Sequence, residues 1–484
     1  MNLKKISSAI LVIALSLASC KTGKQNAAAP ASPETGKYVT SADITEGDVH
    51  QYISVLASDS MGGREAGTPY EALAGKYIRE KFISLGLKPF ENNTYHDYYQ
   101  TVPLFSRKFF NNCELNFNDF KGEYTVDFRP LIQFDSLKVA GDAVFLGYGN
   151  DADYDNLDVK GKWVMMLEGR GNDTIIPKAN EDIYSRYETA KNRGVLGILS
   201  IVTDEAVKSE TGYLQSKPTS IPIIKISIKT ADHLFALAGT AFPEVLSKVE
   251  AGKNYRLSVP ATVYAVIQTE TITPLSHNVV ACLNAADYTD SYIVIGAHYD
   301  HLGTKPSGDS TQIYHGADDN ASGVAGMLEL AEKLRSVKNL KHNILFVAFG
   351  GEELGLYGSR FFCNNPPVLL DKIKWMVNLD MIGRMDSLNH VYLNTVEPTD
   401  RYDAILAQLK NAHPDIHIVF PSDARFQSSD HSSFSGKNIP AIGFTTGLHK
   451  AYHTPADTLG SVNCSGEKRL LDLVYDFIMK EESN

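Results

Sequence analysis

From residue 263 onward the chain repeats one arrangement: a short apolar run, a cluster of acids or histidines, then a segment of helical period. The runs are Tyr292 to Ala297, Ile344 to Phe349, Met376 to Leu379 and Ala441 to Phe444. Runs without polar alternation fit strands covered on both faces. Between the first two, Val324, Met327, Leu328, Ala331 and Leu334 mark one face of a helix. Alternating strands and helices predict an α/β fold, a mainly parallel, doubly wound sheet flanked by helices. Its ligands should lie at the carboxyl ends of the strands.

The chemistry-bearing residues fall where that edge is expected. The first run leads into His298-Tyr299-Asp300-His301, the second into Glu352-Glu353, the third into Asp380, and the fourth is followed by Tyr452-His453 and Asp457. Adjacent acids at the end of a buried strand repel each other unless a cation neutralises them or one keeps a proton. Two exposed glutamates on a surface turn are the ordinary alternative, but four clusters at one sheet edge are hard to place by accident. Asp318-Asp319-Asn320 opens the intervening helix. Capping is the common use of such residues, yet here they would add acids to an edge already over-charged without metal. Two imidazoles and at least three carboxylates suit two divalent ions, zinc first, with cobalt or manganese as substitutes.

This ordered set resembles the di-zinc exopeptidases of metallopeptidase family 28, over roughly residues 45–115 and 263–480. The resemblance implies a zinc aminopeptidase-like fold and two Zn2+ per chain. Asp319 would bridge the ions, with His298 and Asp380 on one and Glu353 and His453 on the other. It makes Glu352 the general base, Asp300 the carboxylate that orients His298, and a water shared between the ions the nucleophile. A cis peptide after Asp319 is implied as well. One position departs from the pattern: Phe426 stands where relatives carry a tyrosine upstream of the Ser-Asp-His matched by Ser429-Asp430-His431. Phenylalanine donates no hydrogen bond, so help for the oxyanion must come from zinc or elsewhere. His449 is a candidate, a surface histidine its alternative, and His301, His315 and His431 are read as structural. The expected activity is zinc-dependent removal of N-terminal residues from peptides. The rivals are a related carboxypeptidase or glutaminyl cyclase, or a catalytically silent binding protein; the complete ligand set and Glu352 disfavour the last two.

The rest of the chain divides by texture. Residues 1–19 have a basic start and an apolar run of signal-peptide length, and Leu17-Ala18-Ser19-Cys20 resembles a lipobox. This implies lipid attachment at Cys20, and Lys21 after it implies the outer membrane, hence an envelope location and a membrane contact through the anchor. Residues 20–45 read as a polar, Ala/Pro-rich tether. Residues 46–115 carry two helical patterns around the glycine-rich turn Ser60–Thr68, in which Arg64 is either a surface residue or a brace. Residues 116–262 are β-rich with one helix near Ile183–Arg193. They resemble a protease-associated (PA) domain, on Gly161–Gly169 and Tyr187–Ile198. That insert would shape substrate access or act as a spacer, and residues 263–484 would complete the peptidase domain. A formal charge of -11 argues against nucleic acid as partner. Beyond Cys20, the irregularly spaced Cys113, Cys282, Cys363 and Cys464 read as free thiols. Oligomeric state and side-chain preference are open at this level.

Overall fold

The computed structural model describes residues 40–483 apart from 105, 110–111, 132–135, 170–174, 177–182, 209–220, 253, 308–309, 396–401 and 422–428. The expected leader, Cys20 and the first part of the tether lie outside the described residues, as does Phe426. The four apolar runs are strands Tyr292–His298, Asn343–Phe349, Ile373–Leu379 and Ala441–Thr445. They pair in parallel, in the order Asn343–Phe349, Tyr292–His298, Ile373–Leu379, Ala441–Thr445. Antiparallel neighbours flank them: Leu275–Leu283 on one side, His390–Thr395 on the other. Among the described residues the sheet has nine strands. Helix Gly323–Leu334 is buried along nearly its full length, and its Val324, Leu328 and Ala331 share a core with Ile293, Ile295 and Phe346. Each such fully buried aliphatic side chain contributes about 1.5–3 kcal/mol.

The segment before the insert belongs to this core. Helices Glu46–Leu56 and Pro69–Ser84 start at Thr45 and Thr68, whose side chains accept from the N–H groups of Asp48 and Glu71. Strand Tyr99–Pro103 then joins the sheet edge, and Pro103 is the register partner of Leu275. The chain therefore leaves the host sheet and returns to it side by side, through a ribbon of Ser106–Phe109 with Thr269–Ile272.

Within the insert, strands between Glu114 and Ile267 form a second sheet, eight-stranded among the described residues, with its own core around Trp163, Phe145 and Phe235. Helices Asp204–Lys208, Ile228–Leu237 and Phe242–Glu250 accompany the expected one, which runs Ile183–Asn192. Ile228–Leu237 is hard to read because it follows strand Ile223–Ser227 without a break, capped by Ser227 itself. Cys113, Cys282, Cys363 and Cys464 are free. No helix among the described residues is long and apolar enough to cross a membrane.

Candidate metal centre

Parallel register brings the clusters together. His298 is paired with Phe349, so the two chains leave the sheet at the same level. Gly351, at φ +72°, turns the second chain back, and the Asp300 carboxylate accepts from the Glu352 N–H at 3.0 Å and the Glu353 N–H at 3.3 Å. Asp300 is also near His298: its carbonyl oxygen lies 3.2 Å and its Oδ1 3.7 Å from Nδ1. It thus holds the Glu352-Glu353 turn as well as facing the imidazole it was expected to orient.

Asp319 comes from an irregular turn, Ala317–Ser322, entered through left-handed Gly316 and containing the cis peptide Asp319–Asn320. The Asp318 and Asp319 N–H groups donate to Asp457 at 3.0 Å. Asn320 fastens the turn to the next strand, donating to Leu379 O at 2.9 Å and accepting from Met381 N at 3.1 Å. Asp380, one residue past that strand, accepts from Ser429 Oγ at 2.6 Å. His453, at φ +54°, is stacked on Tyr452.

Two donor sets result, both using Asp319. His298, Asp319 and Asp380 form one; His301, Asp319 and Glu353 form the other, each with ligand atoms within 4.8 Å of one another. His298 Nε2 is 3.4 Å from both Asp319 Oδ1 and Asp380 Oδ1. His453 Nε2 is 3.1 Å from both Asp319 Oδ2 and Glu353 Oε2. All five expected ligands therefore converge. His301, read from the sequence as structural, converges with them: its Nδ1 is 2.8 Å from Glu353 Oε1. The available signal was a second imidazole three residues after His298 in the same loop.

The charges of the cluster suit a bound cation. Burial opposes ionisation of Asp319, but His301, His298 and His453 outweigh it and hold the carboxyl well below its usual range. Burial likewise opposes charge on His453, yet Asp319 and Glu353 push it up to about 10. His298 and His453 are thus driven to hold protons against buried acids, the condition a divalent cation relieves. Glu352 differs: burial pushes its carboxyl well above the ordinary range, with His298 opposing and Glu353, Asp430 and Asp380 adding to the rise.

Arg64 is the brace rather than a surface residue. Fully buried, it donates to the carbonyls of Leu56, Tyr299, His315 and Gly316 at 2.6–2.9 Å. Burial pushes its guanidinium down to about 10, against the pull of Asp319 and Asp300, so it stays charged beneath the acids at neutral pH. His449 accepts from Ala451 N at Nδ1 and turns Nε2 to 3.1 Å from Asp318 Oδ2, so it is occupied with Asp318. His315 pairs with Asp59 away from the cluster, and His431 is buried beside Asp380.

Fold and centre together define an α/β protein whose strand ends form a carboxylate-imidazole cradle. The chain belongs to peptidase family M28, whose model matches residues 278–478. It is 32% identical over 230 residues to the uncharacterized protein YfbL of Escherichia coli (strain K12), covering 42% of this chain and 70% of YfbL. It is 26% identical over 328 residues to aminopeptidase YwaD of Bacillus subtilis (strain 168), covering 65% of this chain and 64% of YwaD. The next curated relatives are spanned over only 41–47% of their length. The solved structure of BSAP, a zinc aminopeptidase from Bacillus subtilis, superposes with a TM-score of 0.58 at 19% identity, over 91% of this chain and 96% of that one. The expected fold is thus the one found.

Proposed function

We propose that this chain is a zinc-dependent exopeptidase that removes N-terminal residues from peptides, holding two zinc ions per chain. One observation carries the reading: two donor sets share Asp319, while Glu352, beside the donor Glu353, belongs to neither. Donor chemistry fits, since imidazole and carboxylate are zinc ligands. His298 and Asp380 would hold one ion, Glu353 and His453 the other, and Asp319 both. Bound there, zinc would polarise the scissile carbonyl and acidify a water. Glu352, raised by burial and free of the donor sets, takes a proton from the attacking water. As the C–N bond breaks, Glu352 passes that proton to the departing amine. Asp300 keeps Glu352 in place through the backbone bond. The names of YwaD and BSAP, both called aminopeptidases and the second a zinc enzyme, support the reading.

The test is metal analysis of the purified chain together with hydrolysis of one peptide series bearing a free, an acetylated or a carboxyl-blocked terminus. About two zinc ions per chain and cleavage that requires the free amine are expected. Cleavage that requires the free carboxylate, or less than one ion under replete conditions, would overturn it. We further propose that residues 46–115 and 263–484 form the peptidase domain and residues 116–262 a PA-like insert, whose sheet, from Glu114 to Ile267, runs a few residues past those bounds at either end. Residues 1–19 would direct export, with lipid on Cys20 anchoring the chain by its tether in the outer membrane of the envelope. Loss of membrane fractionation in Cys20→Ala tests the anchor.

A further inference from the structure

Beside Asp380 the sheet carries a row of residues that no part of the metal centre uses. Gly443 is the register partner of Asn378 on one neighbouring strand and of Asn394 on the other. Register partners present their side chains on one face. The two amides therefore flank a gap left by the glycine. The His431 ring fills that gap: a Cβ at Gly443 would sit 3.1 Å from His431 Nδ1. Ser429 links the row to the centre, accepting from Asn378 Nδ2 at 2.9 Å and donating to Asp380 Oδ2.

The row is buried and its hydrogen-bonding capacity is left over. Asn378 is 1%, His431 1% and Asn394 7% exposed. Both ring nitrogens of His431, Asn378 Oδ1 and Asn394 Oδ1 have no hydrogen-bond partner among the described residues. All three residues line a recess of about 60 Å3 that also reaches Asp380, Leu448 and Tyr452. Buried polar atoms are normally paired, so a group of orphans facing one small space points to an occupant that pairs them. A neutral imidazole donates from one ring nitrogen and accepts at the other, so His431 offers both kinds of partner to an occupant. Asp380 apart, the polar side chains lining the recess are amides, hydroxyls and an imidazole, which suit a hydrogen-bonding occupant.

We propose that this recess receives the side chain of the substrate's N-terminal residue and selects a small hydrogen-bonding one, such as that of serine, threonine or asparagine, over leucine. The assignment rests on the exopeptidase reading above. A site built to pair a substrate's polar group discriminates strongly against an apolar analogue, which leaves the site's own groups unpaired. Leucine fills space without satisfying any of the orphans.

The experiment compares serinamide, threoninamide, asparagine amide and leucinamide as substrates of the zinc-loaded full chain. The best polar amide should exceed leucinamide in kcat/KM by at least about tenfold, and Asn394→Leu should shift that ratio toward leucine by a similar factor. Better hydrolysis of leucinamide, or an unchanged ratio in Asn394→Leu, overturns the proposal. Thermal protection by free L-asparagine against L-leucine gives a second readout that needs no turnover. If none of the amides is cleaved, it is the exopeptidase reading that fails, and protection then decides the recess by itself. Stronger protection by asparagine supports the assignment; equal or stronger protection by leucine, or none by either, overturns it.

Discussion

His301 Nδ1 lies 2.8 Å from Glu353 Oε1, while His453 meets the other oxygen of that carboxylate, 3.1 Å from Oε2. The imidazole therefore fixes the rotation of a ligand, as well as standing 3.7 Å from Asp319 Oδ2. Partners of this kind tune metal affinity about 10–100-fold. His301→Phe should weaken binding at the Glu353-His453 pair by that factor in a chelator competition, with the His298-Asp380 pair less affected. Unchanged affinity at both would show that His301 only fills space.

Glu352 and Asp319 make separable predictions. Glu352→Gln keeps the shape and the backbone bond to Asp300 but removes the proton acceptor. Hydrolysis should fall by about 10²–10⁴, with zinc content unchanged. Asp319→Ala removes the carboxylate common to both donor sets, and zinc itself should be lost. Atomic absorption beside a peptide-hydrolysis assay distinguishes the two, and wild-type turnover in Glu352→Gln would remove it from the base role.

Arg64→Met would leave the carbonyls of Leu56, Tyr299, His315 and Gly316 without their buried donor. A loss of about 2–4 kcal/mol is expected in urea unfolding, since several buried acceptors lose their partner at once. Arg64→Lys should recover only part, because an ammonium cannot reproduce the fork of the guanidinium. A loss within the range of surface substitutions would contradict the brace.

Glu329 is buried, accepts from Thr45 N at 3.0 Å and has Oε1 unpaired. Burial pushes its carboxyl up to about 8, with the Thr45 N–H opposing and Asp48 and Glu332 adding to the rise. From the ordinary carboxylate range up to about 8, the native chain keeps a proton that the unfolded chain has released. Its contribution is therefore fully present in acid and is lost as pH rises through that window. Glu329→Gln should flatten this slope and stabilise the protein by about 1–3 kcal/mol on the alkaline side, with little gain in acid. Urea unfolding on either side of the window checks the sign.

The centre was legible because buried parallel strands announce themselves as apolar runs, and the residues just past His298, Phe349 and Leu379 had to share an edge. His301 was not, because only the loop's conformation decides which oxygen of Glu353 it meets. Arg64 remained open because its partners are backbone carbonyls, three of them more than two hundred residues away. The row Asn378, Gly443 and Asn394 depends on strand register, which apolar runs do not specify when both faces are covered.

The four bonds of Arg64 also bear on how small the peptidase can be made. The matched family region, residues 278–478, holds every ligand, yet its Tyr299, His315 and Gly316 carbonyls take their donor from a residue far upstream. A truncation to that footprint would be complete in its chemistry and deficient in its scaffold. Autonomy, in this chain, begins before the insert, and whatever separates the two halves must leave Arg64 able to reach home.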